Sequence, residues 1–161
     1  MRLTVLILED ERPVRQALER DLSPLADLVR VEAAEDVPDA WEVIREIDAD
    51  RDRLALVLAD HRLPGTSGVD FLVQLLDDDR TAPARKVLVT GQADQQDTIR
   101  AVNEAGLDHY IAKPWDPDVL RTVVRDQLTD HVLEHRLDPL PHLRALDAAR
   151  VMPLLRSRGD R

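Results

Sequence analysis

The sequence predicts a doubly wound α/β fold, in which five parallel strands are covered by helices on both faces. Five apolar runs of strand length recur along the 161 residues, and helical patterns separate them. The runs are apolar continuously rather than at alternate positions, which suits strands that are buried on both faces. Because crossovers between parallel strands are almost always right-handed, this alternation builds one twisted parallel sheet.

The predicted strands and helices alternate along most of the chain. Strands are predicted at LTVLIL (3–8), LVRVEAA (28–34), LALVLA (54–59), KVLVT (86–90) and HYIA (109–112). Helices are predicted from apolar residues three or four positions apart, which share one helix face. Those residues are Val14, Leu18 and Leu22 in the first helix, Trp41, Ile44 and Ile47 in the second, Phe71, Leu72, Leu75 and Leu76 in the third, Ile99 and Val102 in the fourth, and Leu120, Val123, Val124 and Leu128 in the fifth.

A short extension is predicted after the fifth helix. That helix is expected to reach about His135, beyond which two prolines prevent its continuation. We therefore divide the chain into a main domain at residues 1–136 and an extension at residues 137–161. In the extension, HLRALDAARVM predicts an accessory helix, and RSRGDR predicts a frayed, partly disordered end. The extension could dock on its own domain, pair two protomers or begin a linker.

Composition and charge exclude several classes of protein. The chain has no cysteine, which excludes disulfides and thiolate metal sites. A formal net charge of −10 argues against general nucleic-acid binding, which needs a basic surface. No apolar run is long enough to span a membrane, and the N-terminal MRLTVLILEDE is too short and too acidic for a signal peptide. We expect a cytoplasmic protein that contacts neither nucleic acid nor membrane directly.

Charged and polar side chains follow four of the five strands, at the point where each strand ends. Glu9 and Asp10 follow the first strand, Asp60 the third, Thr90 ends the fourth, and Lys113 follows the fifth. In open α/β sheets, ligands bind outside the carboxyl ends of the strands. The sequence therefore predicts that these side chains meet in one crevice.

Three clustered carboxylates favour a divalent cation. Two unit charges about 4 Å apart interact by roughly 4 kcal/mol at an effective dielectric constant near 20, so unneutralised acids would repel one another. Hard oxygen ligands select Mg²⁺, which leaves room for phosphate oxygens. A carboxylate beside the ion could attack phosphorus and form an aspartyl phosphate. We assign this role to Asp60, with Lys113 and Thr90 contacting the phosphoryl oxygens.

Four sequence motifs resemble those of a known family. ILEDE, LVLADHRLPGTSGVDFL, VLVTGQAD and DHYIAKPWDP occur in order, and they are similar to the motifs of the receiver domain of two-component response regulators. The resemblance covers about residues 2–130. It implies a flavodoxin-like fold with strand order 2-1-3-4-5. It also implies phosphorylation of an aspartate by a histidine kinase, a phosphotransfer protein or a small phosphodonor.

The resemblance carries over to a set of metal-binding positions. Asp60 matches the phosphoacceptor, and Glu9 and Asp10 match the acidic pair that holds Mg²⁺. Asp10 is expected to bind the ion directly, whereas Glu9 could act through water. The backbone carbonyl of Arg62 matches a third ligand. Glu9 stands where aspartate is commoner in the family, which could alter Mg²⁺ affinity.

The resemblance also implies a switch. Thr90 matches the switch hydroxyl, Tyr110 the switch aromatic, and Lys113 the lysine that contacts phosphate. Arg62 and Gln92 match positions that tune dephosphorylation. On phosphorylation, the surface of helix 4, strand 5 and helix 5 is expected to change shape and act on a downstream protein, or to form a homodimer. The extension is the alternative dimer contact.

Other functions remain as alternatives. The chain could be a receiver-like interaction module that works without phosphate, or the N-terminal regulatory piece of a larger multidomain protein. A Mg²⁺-dependent phosphatase with an aspartate nucleophile usually needs a second aspartate two residues later, where this chain has Arg62. A flavin-binding protein needs Ser, Thr or Gly amides in the turn after strand 1, which is acidic here. We therefore expect a regulatory phosphoacceptor rather than an enzyme.

Two histidines have a spacing that could hold a metal. His131 and His135 are four residues apart on the fifth helix. Because no third ligand is evident, we expect both to face solvent. Trp115 is expected to be a partly exposed cover without a chemical role.

Overall fold

Five parallel strands form one sheet in the order β2-β1-β3-β4-β5, which confirms the predicted fold class and strand order. The computed structural model describes residues 1–91 and 95–159. The strands are β1 (Leu3–Leu8), β2 (Arg30–Ala34), β3 (Arg53–Ala59), β4 (Arg85–Thr90) and β5 (His109–Ala112). The α-helices are α1 (Arg12–Asp21), α2 (Val37–Ala49), α3 (Gly68–Leu75), α4 (Gln95–Arg100), α5 (Pro117–Glu134) and α6 (Ala148–Gly159).

Each face of the sheet carries its own apolar layer. Side chains of β3 enter both layers: Leu58 packs with α1 and α5, whereas Val57 packs with α2 and α3. Both layers are enclosed, because every residue of β1 is buried and every residue of β3 except the first is buried. This double covering explains why the strand sequences are apolar continuously rather than alternately.

Capping side chains define the starts of three helices, α2, α3 and α5. The side chain of Asp36 accepts the amide of Asp39 at the start of α2, and Ser67 accepts the amide of Asp70 at the start of α3. Asp116 accepts two amides at the start of α5. These caps satisfy amides that have no partner within the helix, and they fix where the loops from the strands end.

The residues that the fourth helix and its following turn bury are not the ones that marked this helix in the sequence. Ile99 and Val102, which marked this helix in the sequence, are 50% and 51% exposed. No residue of α4 is buried, and the chain continues into a π-helical turn at Ala101–Ala105. Ala101 and Ala105 supply the contact with the core instead. The turn ends at Gly106, whose positive φ of 68° suits glycine.

The C-terminal extension packs on the layer formed by α1 and α5. A 3₁₀-helix at Leu140–Ala145 precedes α6, so the accessory helix predicted as one element is two. The break lies at Leu146, which is extended, and Asp147 donates its amide to Thr129 Oγ1 on α5 at 2.8 Å. The extension belongs to the core, because Leu146 and Val151 are buried in it. The helix α6 runs to Gly159, into the stretch predicted to fray.

The expectation that His131 faces solvent is wrong. Its side chain, on α5, is fully buried against the start of β3 and the loop before β4. Nε2 accepts a hydrogen bond from Arg53 Nε at 2.7 Å, and Nδ1 lies 3.1 Å from the carbonyl oxygen of Pro83. His135 is partly exposed, and its ring centroid is 4.7 Å from that of His131. In the part of the chain that the structure describes, no helix is both long and apolar enough to cross a lipid bilayer.

Candidate functional site

The carboxyl ends of β1, β3 and β5 bring four predicted site residues together. Glu9 and Asp10 follow β1, and Asp60 follows β3. Each of the three offers a carboxylate oxygen within 4.8 Å of the others. Lys113, after β5, places its Nζ 3.0 Å from Glu9 Oε2 and 3.5 Å from Asp60 Oδ2. The predicted convergence is therefore present, whereas the roles of these residues stay predictions.

Burial sets the charge balance of this cluster. Glu9 is fully buried and Asp60 is 7% exposed, whereas Asp10 is open to solvent. Burial raises the pKa of Glu9, and the charge of Asp60 raises it further, although the hydrogen bond from Lys113 opposes both. Burial alone would lower the pKa of Lys113, but Glu9 and Asp60 together outweigh it and raise that pKa. The lysine therefore stays charged beside two carboxylates.

The sheet itself delivers the carboxylates to this position. The amide of Glu9 donates to the Ala34 carbonyl at 3.0 Å, and the amide of Asp60 donates to the Leu8 carbonyl at 2.9 Å. Both hydrogen bonds continue the strand ladders by one residue. The backbone of each acid is thus fixed by the sheet, and only its side chain can adjust.

One residue that the sequence did not single out also fixes the acidic loop. Arg15, in the first half of α1, donates through Nη1 to the carbonyl oxygens of Glu9 at 3.0 Å and Asp10 at 3.4 Å. The carbonyls of the acidic pair are thereby engaged by α1. An arginine five or six residues after an acidic pair has no sequence signature, so the sequence offered no signal for it.

The loop after β3 is closed tightly around Asp60. Gly68 donates its amide to the His61 carbonyl at 2.9 Å. A Cβ at Gly68 would lie 1.9 Å from the carbonyl oxygen of Asp60, so only glycine fits there. Gly65 has a positive φ of 76°, which glycine adopts without strain. The motif LPGTSG therefore places the start of α3 directly against the backbone of Asp60.

Thr90 and Tyr110 lie beside the cluster and contact each other. Thr90 is buried at the end of β4, and its carbonyl oxygen accepts the Tyr110 hydroxyl at 3.1 Å. The same carbonyl accepts the amide of Lys113 at 3.3 Å. The Tyr110 ring packs against the layer formed by α2 and α3. The two predicted switch residues are therefore in direct contact.

Three further residues were named in the sequence analysis. Arg62 is exposed in the loop after β3, and its carbonyl as a metal ligand stays a prediction. Gln92 lies outside the described residues. Trp115 is partly exposed as expected, and its Nε1 donates to Asp21 Oδ2 at 2.9 Å, which joins the loop after Lys113 to α1.

The donor set suits a hard divalent cation. All three candidate ligands are carboxylates. Among the described residues, these three acids lie close enough together to share one ion. One lysine cannot balance three carboxylates, so a cation at this point would relieve their repulsion. Oxygen ligands of this kind are those that Mg²⁺ prefers.

The chain is similar to curated bacterial regulators. It is 32% identical over 160 residues to the hydrogenase transcriptional regulatory protein HoxA of Cupriavidus necator, with 98% of this chain and 30% of that protein covered. It is 29% identical to the response regulator Rre1 of Synechocystis, over 78% of this chain and 52% of that protein. It is also 29% identical to the chemotaxis protein CheY1 of Helicobacter pylori, over 74% of this chain and 91% of that protein. The chain thus spans only part of the length of HoxA and Rre1.

Solved structures and a family model agree with these relatives. The receiver domain of an HD domain-containing protein from Pseudomonas fluorescens has a TM-score of 0.70 and 26% identity, over 81% of this chain and 98% of that one. A CheY-like receiver domain protein from Methanospirillum hungatei has a TM-score of 0.71 and 24% identity, over 83% of this chain and 99% of that one. The family model of the response regulator receiver domain matches residues 5–125. The chain belongs to the response regulator receiver domain family of two-component signalling.

Proposed function

We propose that this receiver domain accepts a phosphoryl group on Asp60 in a Mg²⁺-dependent reaction, with a histidine kinase or a phosphotransfer protein as donor. The observation that carries the proposal is the placement of Asp60. Its carboxylate is nearly buried, lies among two further carboxylates and faces the ammonium group of Lys113 at 3.5 Å. A nucleophile for phosphorus needs this combination of fixed geometry and charge balance.

The metal would be held by the carboxylates of Glu9, Asp10 and Asp60, with the carbonyl of Arg62 as a further ligand. The three side chains fit the ion because their oxygens already lie close together. Mg²⁺, when bound, neutralises carboxylate charge and coordinates phosphoryl oxygens. Glu9 also accepts a hydrogen bond from Lys113, so it serves the ion and the lysine together.

The chain's own residues then position the reaction. An oxygen of Asp60 forms a bond to phosphorus while the bond from phosphorus to the donor's leaving group breaks, and the leaving group takes up a proton as it departs. Lys113 balances the charge that the phosphoryl group brings to the site. Thr90, at the end of β4, supplies a hydroxyl for a phosphoryl oxygen.

The proposed output is a change at the surface of α4, β5 and α5. The contact between Tyr110 and Thr90 links the phosphoacceptor site to β5, so movement of the threonine is passed to the tyrosine. Ile99, Val102 and Val119 on α4, its following turn and α5 are about half exposed, which suits a downstream protein or a second copy of the chain. Gln92 and Arg62 would tune the lifetime of the phosphoryl group.

The proposal also covers the division of the chain and its place in the cell. Residues 1–136 form the receiver unit and residues 137–161 its accessory segment, in a cytoplasmic protein. Because HoxA and Rre1 are longer than this chain, a role as the regulatory piece of a larger protein is the second candidate. Both candidates share the same chemistry at Asp60.

Labelling with acetyl phosphate tests the proposed function. The wild-type chain should gain a label that is lost in alkaline hydroxylamine, and chelation of Mg²⁺ should abolish the labelling. The variant Asp60→Asn should gain none, whereas Asp77→Asn, at an exposed position after α3, should label as the wild type does. Persistent labelling of Asp60→Asn contradicts the assignment. A folded wild-type chain that gains no label favours the phosphate-independent interaction module.

A further inference from the structure

The helix α4 is held by polar contacts rather than by apolar burial. No side chain of α4 (Gln95–Arg100) is buried, and Ile99 is half exposed. The nearest apolar anchors, Ala101 and Ala105, belong to the π-helical turn that follows. The position of α4 therefore depends strongly on its polar side-chain contacts.

Two side chains of α4 reach the segment that follows β3. Asp97 Oδ2 lies 3.2 Å from Nε2 of His61, the residue directly after Asp60. Arg100 donates through Nη2 to Oδ1 of Asp70, in the first turn of α3, at 2.6 Å. The hydrogen bond from Arg100 lowers the pKa of Asp70 and so favours its charged carboxylate. Both contacts join α4 to the same neighbouring segment.

The ring of His61 is enclosed between this segment and α4. Its side chain is 13% exposed. Nδ1 is buried and has no hydrogen-bond partner among residues 1–91 and 95–159. Within these residues, the contact with Asp97 is therefore the one that orients the ring.

His61 and Asp70 belong to one stiff unit with Asp60. The amide of Gly68 is bonded to the His61 carbonyl, and Gly68 abuts the Asp60 carbonyl so closely that no Cβ fits between them. Ser67 Oγ caps α3 by accepting the amide of Asp70 at 3.1 Å. Because closely packed backbone cannot deform locally, a shift at Asp60 moves both groups that contact α4.

We propose that His61 and Asp70 tether α4, through Asp97 and Arg100, and that phosphorylation of Asp60 releases this tether. The inference rests on the proposed function, because the release needs a phosphoryl group at Asp60. The attraction of the phosphoryl group for Thr90 displaces the end of β4 relative to the stiff unit. The helix α4, which follows β4 in the chain, is displaced with it. Polar contacts between side chains that solvent can reach are individually weak, so two of them restrain the helix without locking it. His61 is thus a positioning residue that acts through Asp97.

Amide hydrogen exchange of the peptide that contains α4 tests the tether in the full chain. In the wild type, Mg²⁺ with beryllofluoride, a mimic of the phosphoryl group, should speed exchange of α4 amides by roughly threefold, as the loss of weak polar contacts predicts. Asp97→Asn and Asp70→Asn should each speed exchange without the mimic. Adding the mimic to these variants should then change exchange less than it does in the wild type. Asp97→Glu, which keeps the carboxylate, should exchange nearly as slowly as the wild type.

Glu104→Gln is the matched control. It removes the other carboxylate that Arg100 contacts, at 2.9 Å, but no contact with α3. Exchange in this variant should match the wild type. Equal acceleration in Glu104→Gln and Asp70→Asn overturns the tether, because Arg100 would then only stabilise its own helix.

Fluorine NMR separates failure of the tether from failure of the proposed function. If beryllofluoride is bound in the wild type but α4 exchange does not change, the release is wrong while phosphoacceptor chemistry at Asp60 stands. If no fluoride is bound in the presence of Mg²⁺, the proposed function fails, and the inference that rests on it fails too.

Discussion

At the scale of single residues, Glu9 and Lys113 show why this site suits a cation. Glu9 is fully buried at the end of β1, and burial raises the pKa of its carboxyl group. The one ammonium group of Lys113 faces the carboxylates of both Glu9 and Asp60. The negative charge that the lysine leaves unbalanced is therefore available to a divalent ion.

Asp10→Asn should separate metal binding from folding. Asp10 is exposed, so its replacement removes a proposed ligand but no buried contact. We expect Mg²⁺ affinity to fall by at least roughly tenfold, which is about 1.4 kcal/mol. Without metal, stability should stay within about 0.5 kcal/mol of the wild type, as at other surface positions. Titration calorimetry and urea unfolding measure the two quantities.

Glu11→Gln is the matched control for Asp10→Asn, because Glu11 is exposed and adjacent but lies outside the carboxylate cluster. Its affinity for Mg²⁺ should remain close to that of the wild type. Equal losses of affinity in the two variants would show that general surface charge, and not ligation by Asp10, attracts the ion.

His131 should make the fold sensitive to acid. Burial lowers its pKa to about 3, and the nearby charge of Arg53 acts in the same direction. Nε2 accepts from Arg53 and Nδ1 faces the Pro83 carbonyl, so a proton on Nε2 would oppose the Arg53 donor. Below the ordinary histidine pKa of about 6.5, His131 binds a proton in the unfolded chain but not in the native chain. Because of this residue, the free energy of unfolding should fall by roughly 2 kcal/mol between pH 8 and pH 5.

Urea unfolding of His131→Gln across that pH range checks the effect. The variant should be less stable at pH 8, because its buried contacts change, but its stability should fall less steeply with acid. His109→Gln, at an exposed position, should follow the wild-type pH dependence. A wild-type slope in His131→Gln would refute the role of this side chain.

Sequence reasoning located the carboxylates but not the buried histidine. Strand ends can be read from the sequence, and in a parallel sheet they converge at one edge, so Glu9 and Asp60 were predicted to meet. The environment of His131 depends on Arg53 and Pro83, which are 78 and 48 residues distant along the chain. Helical spacing alone cannot reveal such partners.

At the scale of elements, the loop from β3 to α3 depends on two glycines for different reasons. Gly65 has a left-handed backbone with open space around it, whereas Gly68 is pressed against the Asp60 carbonyl. An added Cβ at Gly65 would contact no other atom, and its cost would come only from strain in the left-handed backbone. An added Cβ at Gly68 would have to displace the backbone of Asp60.

The variants Gly65→Ala and Gly68→Ala should therefore differ sharply. Gly65→Ala should cost roughly 1–2 kcal/mol of stability, the usual cost of a left-handed alanine. Gly68→Ala should cost more than about 3 kcal/mol, because overpacking against backbone forces a shift. It should also slow labelling of Asp60, whereas Gly65→Ala should label normally. Urea unfolding and acetyl phosphate labelling measure these effects, and similar behaviour of the two variants would contradict the described contact.

Elements with continuous apolar runs were predicted well, and elements with weak patterns were not. The five strands agree with the prediction to within two residues at each end. Ile99 and Val102 predicted a helix in the region of α4, and a helix is present there. The residues that pack in the core, however, are the small residues Ala101 and Ala105. A pattern of only two apolar residues does not define which face of a helix is buried.

At the scale of the whole molecule, the C-terminal extension completes the layer formed by α1 and α5. Leu146 and Val151 are buried in that layer, and Arg125 on α5 donates to the carbonyls of Arg144 and Leu146. The sequence left docking, pairing and linking open for this segment. The choice depends on long-range packing, which the scattered leucines of this segment could not predict.

Leu146→Ala should test how far the fold depends on the extension. Loss of a buried leucine side chain should reduce the free energy of unfolding by about 2–5 kcal/mol. Leu140→Ala is the matched control, because Leu140 is 60% exposed and its loss should cost less than about 0.5 kcal/mol. Urea unfolding measures both, and equal small effects would mean that the extension does not pack on the core in solution.

The central claim is that Asp60 carries the phosphoryl group, and chemical mapping of that bond tests it most directly. The chain is treated with acetyl phosphate and Mg²⁺, then with borohydride, which reduces an aspartyl phosphate to homoserine. Peptide mass spectrometry then locates the altered residue. We predict homoserine at position 60 and unmodified aspartate at position 10. Homoserine at any other position, with position 60 unaltered, would contradict the account.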